Sequence, residues 1–558
     1  MNTRDSHELA TPQAAVVDTA HSSVLDSAHV GDIRGAFGTI AQNDTGRRTS
    51  WMARFKTLMA IIGPGLIVMV GDNDAGAFGT YTQAGQNYGT TLLWTLMLLI
   101  PVLYVNQEMV LRLGVVSGVG HARLILERFG RFWGAFSVID LFLVNALTIV
   151  TEFIGISLGL SFLGVPKIPG VIVAALLIMM AVSTGNFRRF ERFSMVLVFA
   201  SLLLVPVFVM VHPPLGQVAH DFLIPSYPQG ARLSDVMLLV IGIVGTTVAP
   251  WQLFFQQSYV IDKRITTRFI NYERWDLVLG IVLVIIGAVA MMAFAAQTFA
   301  GKPEFGNYAD AGAVASGIAK YYGQLPAQLF AIALIDACII GASAVSLSTA
   351  YAIGDVLSVN HSLHRKPMEA IGFYAVYFAL IVVAAALVLI PGTPLGLLTS
   401  AVQTLAGVLL PSASVFLLLL CNDKEVLGPW VNGRKLNLFT AAIVAILVML
   451  SIILTAAVLF PDISSDAIIA ILLGGSAIGI VVAVIVKWMQ AKRDKAAGIT
   501  PAAVDIITDP ANWRMPPLQQ LTPLNLTIEK RVWMGVLRGY LIIAVCLVAY
   551  KVVRIAMG

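Results

Sequence analysis

Roughly twelve apolar runs, most of them about 20 residues long, leave this chain one architecture: helices packed side by side across a bilayer. They fall near 56–87, 90–111, 133–163, 168–184, 193–211, 235–260, 275–299, 325–357, 368–391, 395–420, 437–460 and 466–487, and a further run covers 533–550. Backbone in hydrocarbon must satisfy its own hydrogen bonds, so each run is expected to be helical. The composition agrees. The 558 residues are 58% hydrophobic and only 12% charged, against about 25% charged in soluble domains, and the mean hydropathy is +0.83. Other classes are excluded on similar grounds. Three scattered cysteines (Cys338, Cys421 and Cys546) form no disulfide framework or zinc site. The net charge of +5 is spread over short loops, so no nucleic-acid partner is expected. No Ser-His-Asp, His-Glu-x-x-His or phosphate-cradling glycine motif is present, which argues against an enzyme or an ATP-driven pump.

Residues 1–50 are polar and lack an apolar periodic face, and read as a disordered cytoplasmic tail. No short apolar leader with a cleavage site follows Met1. A transport core over 51–425 comes next, then additional spans over 426–487. A solvated linker over 488–532 carries Lys492-Arg493-Asp494-Lys495, a basic run suited to anionic lipid, and a final helix lies within 533–558. Lysine and arginine set the orientation. With the amino terminus inside, inner segments up to Arg531 hold 29 basic residues and outer loops four: Lys167, Arg232, Lys302 and Lys320. A multi-pass protein of the bacterial inner-membrane type, monomeric, is expected.

Two runs are interrupted at mid-membrane. The first contains Gly71-Asp72-Asn73-Asp74-Ala75-Gly76-Ala77, two acids and an amide between glycines. Polar groups at that depth serve a pathway or a bound ion. The sixth contains Gly245-Thr246-Thr247-Val248-Ala249-Pro250-Trp251-Gln252, where proline removes a helix hydrogen bond and frees a carbonyl about one turn earlier. Each interrupted span opens a set of five. That is the pattern of an inverted five-plus-five repeat with its ligand site between the two breaks. Asp74, with Asp72 and Asn73 beside it, is the leading cation ligand. Close carboxylates in low dielectric repel unless a cation or proton intervenes.

Several separated motifs resemble the natural resistance-associated macrophage protein (NRAMP) family of divalent-metal transporters. Gly63-Pro64-Gly65, the broken stretch and Gln83 to Gly89 resemble its first span. Gln107-Glu108-Met109 with Arg112-Leu113-Gly114 resembles its second, and Thr151 to Gly155 its third. Ala249 to Leu253 resembles its sixth; Gln403, Leu410-Pro411 and Asn422-Asp423 resemble its tenth. The likeness covers roughly residues 58–425 and implies the leucine-transporter fold, all-α, with two or three extra carboxy-terminal spans. It also implies that the carbonyls of Gly71 and Thr246 face the ion, with Gln403 bound directly or through water. Thr247 and Gln252 are weaker candidates, since each could instead satisfy freed backbone.

The departures give the chemistry a direction. Where the family carries Asp-Pro-Gly-Asn, this chain has Asp74, Ala75, Gly76 and Ala77; where the family carries Met-Pro-His, it has Ala249, Pro250 and Trp251. An amide and a thioether ligand are both replaced by methyl groups. A thioether favours softer transition metals, whereas oxygen and water suit magnesium. Magnesium keeps several waters and binds through one or two carboxylates. This pattern resembles the NRAMP-related magnesium transporters and implies Mg²⁺ as the transported substrate, with Mn²⁺ also passing and no resident cofactor. The family's titratable positions for proton coupling are here Ile149, Trp251 and Gln256, and all eight histidines lie in tails, loops or a span end. Glu152 remains, with Asp140, Asp276 and Asp336 elsewhere in spans; Glu152 could equally bond a threonine or broken backbone. Transport without obligatory proton coupling is expected. Alternatives are a proton-coupled Mn²⁺/Fe²⁺ symporter and, more distantly, a sodium-coupled solute carrier of the same fold.

Overall fold

The computed structural model describes residues 27–390, 402, 411–460, 463–496, 510, 513–521, 534–535 and 539. Gln403 and most of 533–550 lie outside them. The chain opens with a two-stranded antiparallel hairpin, β1 (Ile33–Gly35) and β2 (Gly38–Ile40). The helices of the first half are α1 (Trp51–Ile61), α2 (Pro64–Val70), α3 (Ala75–Tyr88), α4 (Trp94–Ser117), α5 (His121–Phe129), α6 (Arg131–Phe162), α7 (Lys167–Val182), α8 (Phe187–Ala200) and α9 (Leu204–Val211). The second half holds α10 (Leu215–Leu223), α11 (Leu233–Thr247), α12 (Pro250–Asp262), α13 (Ile270–Phe299), α14 (Ala311–Tyr322), α15 (Gln324–Leu357) and α16 (Ile371–Val388). Then follow α17 (Pro411–Leu420), α18 (Lys424–Leu427), α19 (Arg434–Leu459) and α20 (Ser465–Ala496). Among the described residues eight helices are long and apolar enough to cross a membrane, or nine if a bent pair counts as one.

Both expected breaks are present. The first span is α2 and α3 separated by Gly71–Asp74; the sixth is α11 and α12 separated by Val248 and Ala249. The first span starts later than the apolar run suggested. Helix α1 is a separate element, bent 53° from α2 at Ile62-Gly63, with Ser50 capping its amino end. Gly63 has φ +154, a conformation that side chains resist, and Pro64 follows at the first helical position. The Asp276 carboxylate on α13 accepts the N–H groups of Gly63 and Gly65 at 3.1 and 2.6 Å. Gly155 and Gly159 of α6 face α15, against Cys338 and against Ala331 and Ile335, which is the close helix packing their spacing implies.

Residues 27–50 depart from the expected disordered tail. The hairpin pairs Ile33 with Ile40 and buries both, together with Ala36 at its tip. Arginines of later elements hold its carbonyls, Arg188 on Gly35 (3.0 Å) and Arg192 on Ala36 (3.0 Å), and Arg264 holds the Ala28 carbonyl just before it (3.0 Å). The tip N–H of Ala36 donates to Glu191. Beneath it Lys263, fully buried, lies 2.6 Å from Glu191 and donates to the carbonyls of Ile61 and Ile62. The segment therefore straps the start of the first span to the start of α8 and the end of α12.

Candidate metal centre

The two breaks release backbone carbonyls by different means. In a helix the Gly71 carbonyl would accept from the N–H of residue 75. Here the Ala75 N–H instead donates to the Glu152 carboxylate on α6, at 3.2 Å. The Thr246 carbonyl would accept from residue 250, which is Pro250 and has no N–H. Each break thus turns one carbonyl away from helix bonding, one of Glu152's two readings being the role it fills. The Asp72 and Asn73 N–H groups tighten onto Met69 and Val70, and Asp74 caps α3 through the Ala77 N–H at 2.9 Å. The methyl of Ala77 offers no ligand, but its N–H fixes Asp74.

The side chains at the first break diverge. Asp74 and Glu152 are close neighbours, and the Cys338 thiol lies beside Glu152. A Cβ on Gly341 would lie 2.9 Å from Glu152 and 3.1 Å from Asp74, so only glycine on α15 lets those acids meet. Asp72, with 0% exposure, accepts from the Gln252 amide through one oxygen, while its second oxygen has no protein partner. Asn73 turns towards α13 and donates to the Val284 carbonyl at 3.2 Å; its amide oxygen has no protein partner. At the sixth break the Thr246 hydroxyl is buried and unpartnered, and Thr247 bonds Tyr81 of α3 at 2.7 Å. Ala249 is 7% exposed and its carbonyl accepts from the Gln252 N–H. The Trp251 ring comes within 3.5 Å of where a Cβ on Gly71 would stand, walling the break where the family has histidine.

Among the described residues, no three His, Cys, Asp or Glu side chains converge as a metal cage. An ion between the breaks would therefore draw on carbonyl, amide, hydroxyl and water oxygens beside the carboxylates. The other intramembrane acids lie apart: Asp276 holds the start of the first span, and Asp140 faces Ser412 at 3.5 Å. Gln107 was legible only as part of a motif; in the fold its amide reaches Gln252 at 2.9 Å. Cys338 and Gly341 carried no signal beyond a run of small residues in α15.

The sequence model of the natural resistance-associated macrophage protein-like family matches residues 65–457, most of the chain. This protein belongs to the NRAMP family. Among its relatives is the divalent metal cation transporter MntH of Ralstonia nicotianae, 30% identical over 397 residues, covering 68% of this chain and 87% of that one. MntH of Pectobacterium carotovorum is 27% identical over 412 residues, covering 72% and 94%. In fold, the chain resembles the Eremococcus coleocola manganese transporter with a TM-score of 0.60 at 22% identity, covering 79% of this chain and 96% of that one. A mutant of that transporter gives 0.61 at 21% identity, covering 81% and 96%. This NRAMP member accordingly has the leucine-transporter-like fold. It is a multi-pass membrane transporter of metal ions and not an enzyme.

Proposed function

We propose that this NRAMP protein imports Mg²⁺ as a partly hydrated ion, with Mn²⁺ also passing, by alternating access and without obligatory proton coupling. The observation that carries the reading is the donor set between the breaks. It consists of oxygen: the carboxylates of Asp74 and Asp72, the released carbonyls of Gly71 and Thr246 and the Thr246 hydroxyl, while Asn73, turned towards α13, has only its unpartnered amide oxygen to offer. Ala77 and Ala249 leave space for retained water where the family has an amide and a thioether. Gln403 is assigned to the same site by its motif alone. Such a set suits a hard, strongly hydrated cation. The membrane potential, worth about 2.3 kcal/mol per charge per 100 mV, would drive a divalent ion inward with roughly twice that. The same proposal has the chain as a monomer in a bacterial-type inner membrane, its amino terminus in the cytoplasm, a reading supported by the lysine and arginine asymmetry of its loops.

A second reading is proton-coupled Mn²⁺ transport. The contact between Asp74 and Glu152 favours it, because two carboxyl groups so close share a proton or a cation. The names of the relatives, manganese and divalent metal cation transporters, favour it too. Uptake into proteoliposomes carrying a pH dye separates the two. Mg²⁺ entry without lumenal acidification is expected; strict co-entry of protons would overturn the uncoupled mechanism. Asp74→Ala should abolish uptake of both ions, and Ala249→Met should shift preference towards Mn²⁺ and Cd²⁺. An unchanged selectivity order in Ala249→Met would refute the hard-site argument.

A further inference from the structure

We propose that Gln252, held by Gln107, is a positioning residue for Asp72 and so a determinant of ion selectivity. The inference rests on Asp72 being a metal ligand. Gln252 stands two residues after the proline of the sixth break, is fully buried, and bridges three segments. Its Nε2 donates to one oxygen of Asp72 in the first break and faces the Thr247 carbonyl at 3.4 Å. Its Oε1 accepts from Nε2 of Gln107 on α4 at 2.9 Å. The direction of this relay is fixed by chemistry. The ionised carboxylate that would bind a metal accepts only, so the nitrogen of Gln252 faces Asp72, and its oxygen then takes the Gln107 donor. The order Gln107 to Gln252 to Asp72 cannot be reversed by flipping one amide.

With one carboxylate oxygen tied, Asp72 presents a single free oxygen, the one without a protein partner. One-oxygen contact suits the near-octahedral shell of Mg²⁺ with its retained waters. Larger and more flexible ions take a carboxylate through both oxygens. Untying Asp72 should therefore cost Mg²⁺ more than Mn²⁺ or Ca²⁺. Loss of a charge-assisted hydrogen bond corresponds to about a tenfold change in an equilibrium.

The test is uptake of Mg²⁺, Mn²⁺ and Ca²⁺ by the full-length protein in proteoliposomes, with KM and maximal rate measured separately. Gln252→Leu is expected to raise KM for Mg²⁺ about tenfold while changing that for Mn²⁺ less than about threefold. Gln107→Leu, which leaves Gln252 in place, should shift the ratio in the same direction by less, and the double variant should match Gln252→Leu because the groups act in series. A merely structural role would lower uptake of all three ions together. If Gln252→Leu does not fold, Gln107→Leu decides the question alone. Asp72→Asn separates the two levels of the argument. Unimpaired Mg²⁺ uptake in that variant would remove Asp72 from the site. Lost uptake there, with an unchanged Mg²⁺/Mn²⁺ ratio in the glutamine variants, would overturn the positioning role.

Discussion

Lys263→Met tests whether the amino-terminal strap and the start of the first span hang on one buried cation. Lys263 has 1% exposure, and its partner Glu191 0%. Its ammonium group is 2.6 Å from the Glu191 carboxylate and donates to the carbonyls of Ile61 and Ile62 at the bend between α1 and α2. Methionine fills similar volume but satisfies none of these groups. Removing one partner of a buried ion pair costs about 3–5 kcal/mol, because the other charge stays buried alone. Two carbonyls lose a donor as well, so the upper half of that range is expected. Denaturant unfolding of purified protein, followed by intrinsic fluorescence, reads the loss. The sharper measurement is the double variant Lys263→Met with Glu191→Leu. Replacing both members of a buried pair by apolar groups is often close to neutral, so the double variant should recover most of the stability, with a coupling energy of about 2 kcal/mol or more. The cycle has one complication: Glu191 also accepts from Ala36, so a shortfall of about 1 kcal/mol is expected from that orphaned N–H. A Lys263→Met variant as stable as the parent, or a double variant no better than the single, would refute the clamp.

Two further outcomes follow from polar contacts at the same end of the bundle. Arg188 donates to the carbonyls of Gly35 and Gly38 and to the Thr39 hydroxyl. Arg188→Ala should therefore speed limited proteolysis within 27–50 by about tenfold or more while the global unfolding midpoint moves little, since local opening needs only the hairpin contacts. His361, in the loop after α15, is buried, which would lower its pKa, but the Asp355 carboxylate 3.0 Å away outweighs this and pushes it up to about 9. A raised folded-state pKa stabilises most below the ordinary value of 6.5, and that stabilisation, roughly 3 kcal/mol, is lost as pH rises through about 9. Melting temperature should fall between those limits, and His361→Gln should flatten the fall.

The helices and both breaks were legible because a bilayer narrows the choices so far. An apolar run of such length has no alternative to helix, and glycine, proline and aspartate within it stand out against that background. Asp72 and Asp74 stand out for the same reason, whereas Gly71 and Thr246 are named through the family resemblance. Contacts between distant segments were not legible. The hairpin over 33–40 carries few apolar residues (Ile33, Ala36, Phe37 and Ile40); what holds it is Arg188, Glu191 and Arg192, about 150 positions away in sequence. Asn73 looked like a ligand beside two acids, yet its amide nitrogen is spent on Val284 of α13. Gln252 reads as a weaker ion candidate or a residue satisfying freed backbone; in the fold its amide donates to Asp72 and faces the Thr247 carbonyl. Spacing along a chain identifies which groups are unusual at a given depth; it does not say which way each one points.

The unlike construction of the two breaks gives a direct test of Glu152. Pro250 frees the Thr246 carbonyl by lacking an N–H, whereas Ala75 has one that must be absorbed, and Glu152 absorbs it. Glu152→Leu should then leave a buried N–H without a partner, at about 1–3 kcal/mol. Proline at position 75 removes the N–H itself. The site accepts it: Ala75 is the first residue of α3, where proline is favoured, and Asp74 before it is extended at φ −78 and ψ −171. Ala75→Pro should therefore be near neutral, and Glu152→Leu should cost markedly less in the Ala75→Pro background than in the parent, a coupling of about 1–3 kcal/mol by denaturant unfolding. Equal damage in both backgrounds would show that Glu152 does not act through Ala75. Uptake in the double variant divides the function as well. If metal transport returns with stability, the glutamate serves the backbone of the break. If stability returns and transport does not, its contact with Asp74 acts on the ion or its proton.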